Sequence, residues 1–282
     1  MRTHTRLDAL RDQVAGWKRA GARIGFVPTM GNLHAGHLAL VGIARARADR
    51  VVASIFVNPT QFGPNEDFAR YPRTPEADAA ALQDAGCDAL WLPDVDTMYP
   101  LGVGQAVSIH VPGIGDTLEG AHRLGHFDGV ATVVARLFNQ VAPDVAVFGR
   151  KDYQQLAVIR AMARDLAFAP EIVGADTRRE ADGLAMSSRN QYLSADERGR
   201  APLVHRTLQA MRDGLARGQP REAVERAALD ALRAGGFAPD YAVVRTPLLE
   251  APADGVRGPH VALVAARIGG TRLIDNLEFA LD

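Results

Sequence analysis

The chain has 282 residues, of which 47% are hydrophobic and 23% are charged, and its formal net charge is -1. This length predicts one large hydrophobic core with a smaller second domain, and the composition excludes wholesale disorder. The near-neutral charge argues against a nucleic-acid or membrane-surface binder.

The single cysteine, Cys87, excludes an intrachain disulfide and is typical of a cytosolic protein. Residues 85–91 indicate a loop that enters a buried strand, which favours a structural thiol over a nucleophile. Residues 1–8 lack the apolar segment of a signal peptide, and no window approaches the roughly 18 apolar residues that a membrane helix needs. We therefore expect a cytoplasmic protein that acts on soluble molecules.

Short apolar runs alternate with amphipathic segments from residue 8 to residue 175. The run 51–57 is continuously apolar and rich in β-branched residues, which is typical of a strand buried on both faces. Helices are predicted at 8–20, 35–48, 75–85, 127–141 and 152–167, and strands at 24–28, 51–57, 89–93, 107–111, 145–149 and 171–173. This alternation indicates βαβ units with right-handed crossovers, and thus an α/β fold with a doubly wound parallel sheet.

The pattern changes after about residue 177. Ser194 and Glu197 predict a capped helix start, and charged helical segments then continue until Gly235 and Gly236 end them. Strands are predicted at 241–244, 261–266 and 271–275, with the last two joined by a turn at 269–270. These elements predict a second, smaller α+β domain at the C-terminal end.

Two histidines, His34 and His37, lie in a glycine-punctuated segment just after the strand at 24–28. Ligands of open α/β sheets bind at the carboxyl ends of strands, and Gly31 and Gly36 let the backbone approach a ligand closely. Imidazoles three residues apart at a helix start can act with free helix N–H groups to hold a phosphate and donate to its transition state. The alternatives are structural histidines or a zinc pair, but zinc needs further ligands nearby and the segment has no cysteine.

Asn58 and Gln61 follow the strand at 51–57. Their neutral amides can hydrogen-bond the hydroxyl and carbonyl groups of a polar substrate. A plain turn at Asn58-Pro59 is the alternative.

Gly149 ends a predicted strand and precedes Lys151 and Asp152. Lys151 can reach a phosphate, Asp152 can cap the next helix or bond a ribose, and Gln155 lies one helical turn beyond Lys151. The spacing does not match a Walker A loop. A solvated lysine–aspartate pair is the alternative.

Ser187, Ser188 and Arg189 combine small hydroxyls with a fixed positive charge. Since an arginine can contact two phosphate oxygens at once, this segment favours a mobile phosphate lid. An ordinary polar loop is the alternative.

Taken together, these segments resemble the pantothenate synthetase (pantoate–β-alanine ligase) family, a nucleotidylyltransferase-like branch of the Rossmann-type folds. The resemblance extends over nearly the whole chain, and its motifs occur in the family's order. They are residues 28–31, 33–34, 36–37, 56–59, 61–62, 71–74, 125–127, 129–130, 151–155, 182–184, 186–190 and 271–276.

The resemblance implies a Rossmann-like nucleotide- and pantoate-binding domain over residues 1–176, with residues 177–282 acting as a lid over the ATP site. It implies that (R)-pantoate attacks the α-phosphorus of ATP, that pyrophosphate leaves, and that the amine of β-alanine then displaces AMP from the pantoyl adenylate to give pantothenate. Mg²⁺ is expected to arrive with ATP on its phosphates, with no protein ligand assigned. A homodimer is implied as well, without a nucleic-acid or membrane partner.

The resemblance also implies roles for individual residues, with His37 as the acid. Catalysis is implied for His37, His34, Lys151 and Arg189. ATP binding is implied for Met30, Gly31, His34, Gly36, His37, Gly149, Lys151, Asp152, Arg178, Met186, Ser187, Ser188 and Arg189, and binding of pantoate and β-alanine for Gln61, Gln155 and Asn58.

Three positions depart from the family's pattern. Ala35 stands where many members carry an acidic residue, Leu124 replaces a proline, and Arg178 stands where an aliphatic residue lines the adenine side. We expect little loss at Ala35, because that side chain can point away, and a looser loop at Leu124. We expect residue 178 to contact the nucleotide through its backbone.

Two other functions remain consistent with parts of the sequence. A plain nucleotidylyltransferase would leave the nucleotide on its product, and the His34–His37 motif fits it equally well. The paired amides of Gln61 and Gln155 favour the ligase. A nucleic-acid-binding module related to the synthetases would need a basic surface, and the net charge of -1 with 6% aromatic residues argues against it.

Overall fold

The computed structural model describes residues 1–64, 66–253 and 255–281. The backbone divides into two compact units, each with its own sheet. One unit comprises Met1–Arg150 and Gln155–Asp176, and the other comprises Lys151–Gln154 and Thr177–Asp282. The short segment Lys151–Gln154 therefore belongs with the C-terminal residues.

Six strands form the sheet of the first unit. They are β1 Arg2–His4, β2 Ile24–Thr29, β3 Arg50–Ile55, β4 Ala89–Trp91, β5 Val145–Gly149 and β6 Glu171–Ala175. Their order is β1-β4-β3-β2-β5-β6, and every pairing is parallel. From β2 the sheet grows in one direction through β3 and β4 and in the other through β5 and β6, which is the doubly wound arrangement.

Helices and apolar side chains bury this sheet on both faces. The helices are α1 Leu7–Arg19, α2 Ala35–Arg45, α3 Pro75–Asp84, α4 Val95–Met98, α5 Glu119–His122, α6 His126–Val141 and α7 Tyr153–Asp165. Phe26 and Ala146 enter one hydrophobic core with α1, α6 and α7, whereas their neighbours Val27 and Val147 enter another with α2 and α3. Since side chains alternate across a strand, burial of both faces requires continuously apolar strands. The predicted fold class is confirmed.

The strand predicted at 107–111 is wrong. The segment is irregular: the Ile109 N–H donates to Thr132 Oγ1 at 2.8 Å, and Val107 is 74% exposed. Alternating apolar residues form a strand only where a neighbouring strand supplies hydrogen bonds. The sequence also missed β1, whose three residues carry no apolar pattern and are held by parallel pairing with β4.

The second unit is an α+β unit with an antiparallel sheet of order β7-β8-β9. Its elements are α8 Ala195–Arg200, α9 Leu203–Ala216, α10 Arg221–Ala234, β7 Ala238–Arg245, β8 Gly258–Ile268 and β9 Thr271–Leu281. The predicted cap of α8 is confirmed: Ser194 Oγ accepts the Glu197 N–H at 3.3 Å, and Glu197 Oε2 accepts the Ser194 N–H at 2.7 Å. The apolar faces of α9 and α10 share one core with the sheet.

Across the described residues, we find no helix with both the length and the apolar character that a membrane crossing requires.

Candidate active site

Three predicted segments begin at the carboxyl ends of neighbouring strands of the first unit. Thr29 of β2 pairs in register with Ile55 of β3, and Gly149 is the last residue of β5, the other neighbour of β2. The strand order reverses between β2 and β5. That reversal is the usual ligand crevice of an open α/β sheet.

The loop after β2 is held by a carboxylate that the sequence reasoning missed. Asp78, in the first turn of α3, is only 3% exposed and accepts the N–H groups of Asn32 and Leu33, both at 2.8 Å. Gly31 adopts a left-handed conformation with φ of 81°. A Cβ on Gly31 would lie 3.0 Å from Asp78 Oδ2, so the loop needs glycine here for both backbone and space. The sequence did contain a signal for this role of Asp78, because a carboxylate in a first helical turn follows directly after the motif at 71–74.

His34 and His37 share a face at the start of α2, as predicted, and their ring centroids are 4.1 Å apart. His34 Nδ1 accepts the Gly36 N–H at 3.1 Å, and His37 Nδ1 accepts the His34 N–H at 3.3 Å. A backbone N–H can only donate, so each Nδ1 must be an unprotonated acceptor. Each neutral ring therefore carries its proton on Nε2.

This arrangement modifies the expectation of free helix N–H groups, because three N–H groups at the start of α2 are bonded within the protein. The N–H groups of His34 and Gly36 are taken by the two imidazoles, and that of His37 donates to the His34 carbonyl at 2.9 Å. The imidazoles thus cap the helix, and each ring carries its N–H on Nε2. Ala35, the first residue of α2, is exposed, in agreement with the expectation that its side chain points away.

A 3₁₀ turn, Pro59–Gln61, follows β3. Asn58 lies just before this turn, and Gln61 is its last residue. Asn58 is 1% exposed; its Nδ2 donates to Gln61 Oε1 at 3.2 Å and to the Gly129 carbonyl at 3.1 Å. Its Oδ1 accepts the Tyr99 hydroxyl at 2.6 Å. Gln61 Nε2 lies 2.9 Å from Met30 Sδ, so this turn contacts the loop after β2. The Asn58 side chain therefore fixes the orientation of the Gln61 amide through a hydrogen bond.

A partly buried network of His126, Arg123 and Glu66 supports the backbone of Gln61. His126 Nδ1 donates to the Gln61 carbonyl at 2.8 Å, and Arg123 Nη1 donates to His126 Nε2 at 3.0 Å. Burial, together with the Arg123 charge, lowers the pKa of His126 to about 4. Arg123 also pairs with Glu66 at 2.6 Å. Burial raises the pKa of Glu66, but the hydrogen bonds and charge of Arg123 outweigh it and hold that pKa below its usual value.

The remaining predicted phosphate ligands belong to the second unit. Lys151 Nζ lies 3.8 Å from Asp152 Oδ1. Ser187 Oγ accepts the Arg189 N–H at 3.3 Å, just before the 3₁₀ segment Ser188–Tyr192. Met186 donates its N–H to the Arg178 carbonyl at 2.9 Å. Gln155, by contrast, is half-buried in the first turn of α7 and belongs to the first unit.

The Cys87 thiol is a buried structural group. Its Sγ lies 3.1 Å from the Ala89 carbonyl and 3.3 Å from that of Val51. Burial raises its pKa to about 11, so the thiol stays protonated at neutral pH. Within residues 1–64, 66–253 and 255–281, no three histidine, cysteine, aspartate or glutamate side chains are grouped as a metal site.

The sequence model of the family described as pantoate–beta-alanine ligase matches residues 2–278. A pantothenate synthetase of Xanthomonas oryzae pv. oryzae is 68% identical over 279 residues, which cover 99% of this chain and all of that protein. A pantothenate synthetase of Xanthomonas campestris pv. campestris is 67% identical over 283 residues, with 99% and 100% covered.

Solved structures agree. A pantothenate synthetase of Thermus thermophilus superposes with a TM-score of 0.91 at 51% identity, covering 98% of this chain and 99% of that one. A pantoate–β-alanine ligase of Francisella tularensis, in complex with β,γ-ATP and β-alanine, gives a TM-score of 0.82 at 30% identity, covering 98% and 97%.

Proposed function

Because this chain belongs to the pantoate–β-alanine ligase family, we propose that the residues described above divide between them the two steps of its reaction. The enzyme condenses (R)-pantoate with β-alanine at the expense of ATP. A pantoate carboxylate oxygen attacks the α-phosphorus, and the bond to pyrophosphate breaks. The β-alanine nitrogen then attacks the acyl carbon, the bond to AMP breaks, and the amine loses a proton to solvent.

The observation that carries our residue assignments is the pair of Nε2–H groups on His34 and His37 at the switch point of the sheet. Neutral donors fixed by backbone hydrogen bonds stabilise charge that develops on phosphate oxygens without reorganising during the reaction. We assign the acid role to His37, which in its neutral form acts by hydrogen-bond donation from Nε2 and keeps its proton, and we assign phosphate contact to both rings. Met30, Gly31, Gly36 and Gly149 then offer backbone to the nucleotide.

The second unit supplies positive charge in this proposal. Lys151 and Arg189 neutralise the phosphates, assisted by the hydroxyls of Ser187 and Ser188 and by Met186. Asp152 bonds the ribose, and residue 178 contacts the adenine side through its backbone. Residues 177–282 act as a lid over ATP, and residues 1–176 form the nucleotide- and pantoate-binding domain.

Gln61 and Gln155 bind pantoate through its hydroxyl and carboxylate groups, and Gln61 also meets β-alanine. Asn58 contributes by fixing the Gln61 amide, since its own donors are both used within the protein. Neutral amides suit this task, because they recognise hydroxyls and a carboxylate without adding a buried charge.

Mg²⁺ accompanies ATP in this proposal. Mg²⁺ keeps several waters and binds phosphate oxygens, so it needs few protein ligands, and when bound it neutralises phosphate charge. This chain's own part is to present the imidazole and cationic groups around the phosphates.

We further propose a cytoplasmic homodimer. Three large apolar side chains, Leu101, Val107 and Leu124, are 71%, 74% and 88% exposed, and we place the contact with a second copy at these residues. Sedimentation should give twice the chain mass, and Val107→Asp should shift the enzyme toward the monomer.

An exchange experiment tests the assignment of the first step. Pantoate-dependent exchange of labelled pyrophosphate into ATP is expected without β-alanine. Exchange that proceeds equally well without pantoate would contradict the adenylation of pantoate and favour a plain nucleotidylyltransferase.

A further inference from the structure

Two adjacent polar residues, Asp275 and Asn276, are buried in β9 of the second unit. They are 4% and 5% exposed. They are the last two residues of the motif 271–276, which has no role in the reaction steps proposed above. Buried carboxylates and amides persist only where hydrogen bonds satisfy them. Successive residues of a strand face opposite sides, so the pair can hold two different segments at once.

Asp275 holds the hairpin that leads into Ser187–Arg189. Arg179 donates Nη1 to Asp275 Oδ2 at 2.6 Å and Nη2 to Oδ1 at 3.0 Å. The same guanidinium donates to the carbonyls of Asn276 and Gly183, both at 3.1 Å. Arg179 also forms an isolated antiparallel bridge with Ala185. A two-pronged ionic contact of this kind fixes orientation as well as distance.

Asn276 holds Lys151. Its Nδ2 donates to the Lys151 carbonyl at 2.8 Å. A second bond of this segment, from the Tyr153 hydroxyl to the Pro247 carbonyl at 3.3 Å, also ends in the second unit. These contacts explain why Lys151–Gln154 belongs to this unit, while the residues on either side of the segment belong to the other.

We propose that Asp275 and Asn276 are positioning residues that fix Lys151 and the Ser187–Arg189 segment to one strand, so that both cationic groups reach the phosphates as a single preassembled set. The inference rests on the proposed phosphate roles of Lys151 and Arg189. Neither Asp275 nor Asn276 contacts the nucleotide in this scheme. Preassembly matters because a phosphate ligand displaced by about 1 Å loses much of its effect on the transition state.

A double-mutant cycle tests the link between Asn276 and Lys151. Asn276→Ala removes the hydrogen bond to the Lys151 carbonyl, and we expect kcat of pantoate-dependent exchange to fall about tenfold with KM for pantoate unchanged. In a Lys151→Ala background, the same change should cost less than about twofold, because the group that Asn276 positions is already gone.

A matched control separates positioning from general stability. Leu277→Ala removes packing from the neighbouring residue of β9, which contacts the core of the same unit. It should lower Tm while leaving exchange kcat near the wild-type value. Asp275→Asn, which leaves a side chain of similar shape, can be paired with Arg189→Ala in a second cycle. We again expect the two losses of exchange kcat to be non-additive.

The outcomes are distinct. Additive losses in both cycles would overturn the positioning role and leave the proposed function intact. The same conclusion would follow if Asn276→Ala exchanged at the wild-type rate while Lys151→Ala was impaired. Wild-type exchange by Lys151→Ala itself would overturn the phosphate role of Lys151 and this inference together. Non-additive losses confined to kcat would support it.

Discussion

His34 and His37 each accept a backbone N–H on Nδ1 and carry their own N–H on Nε2. Substitutions can test the roles of the two nitrogens separately. Asparagine at position 37 places a polar atom near Nδ1 and can keep the bond from the His34 N–H, whereas glutamine places its amide nitrogen near Nε2. We expect His37→Asn to lose about 10²–10³-fold in exchange kcat. We expect His37→Gln to retain at least about tenfold more activity than His37→Asn.

Steady-state exchange rates of the two purified variants measure this difference. His122→Asn, at an exposed histidine of α5, is the control and should leave the rate unchanged. If His37→Asn were the more active of the pair, capping of α2 rather than donation from Nε2 would be the main role of His37.

Asp78 acts on the same loop from α3 through two backbone N–H groups. An asparagine at this position could accept only one of them well, because its NH₂ group would face the other donor. We expect Asp78→Asn to cost about 1–3 kcal/mol of unfolding free energy and to lower exchange kcat. Asp84→Asn removes an equal charge from an exposed position of the same helix and should change neither quantity. Equal behaviour of the two variants in urea unfolding and exchange would refute the role of Asp78.

At the scale of elements, α6 approaches the 3₁₀ turn Pro59–Gln61 so closely that position 129 must be glycine. A Cβ there would lie 2.5 Å from the Thr60 carbonyl oxygen and 2.7 Å from the Gln61 nitrogen. We expect Gly129→Ala to displace the turn, to raise KM for pantoate and to cost about 1–3 kcal/mol of stability. Measurements are Tm and pantoate saturation curves.

Gly42→Ala is the matched helical control. Nothing lies within 4 Å of a Cβ at Gly42 in α2, so alanine there should stabilise the helix by about 0.5–1 kcal/mol. A Gly129→Ala enzyme that behaved like Gly42→Ala would show that α6 and the turn can separate without consequence.

Local patterns predicted most elements because buried strands must be continuously apolar, as in 51–57, and because helices have strong start and stop signals, as at Ser194 and Gly235. The two strand errors have one cause. Pairing with a neighbouring strand decides whether a segment is a strand, and that neighbour is distant in sequence. Arg2–His4 is a strand because it pairs with β4. Residues 107–111 have no neighbouring strand among the described residues, and that segment is irregular.

For the whole molecule, stability should depend on pH through His126. Its pKa is about 4 when folded and near 6.5 when unfolded, so above pH 6.5 it is neutral in both states and contributes nothing. As the pH falls from 6.5 to 4, the unfolded chain binds a proton that the folded protein excludes. The unfolding free energy should therefore fall, with a slope approaching about 1.4 kcal/mol per pH unit from this group.

His126→Asn tests this dependence, since its amide can still donate to the Gln61 carbonyl and does not titrate. Urea unfolding at several pH values between 7 and 4.5 should give a shallower acid loss for the variant than for the wild type. Glu66 adds stability that is present above its ordinary pKa and is lost as the pH falls through its lower folded value, and this occurs in both proteins. Parallel curves would contradict the assignment to His126.

The sequence by itself determined the fold class, the segments at the strand ends and the family, because these depend on the order of apolar runs, glycines and polar residues along the chain. The tertiary structure alone decided how those side chains are held. Asp78 beside the loop after β2, the protonated nitrogens of His34 and His37, and Asn276 on Lys151 all depend on hydrogen bonds whose geometry exists only after folding. Partners separated by up to 125 positions leave no pattern in a single sequence, since burial and distance, rather than spacing, select them.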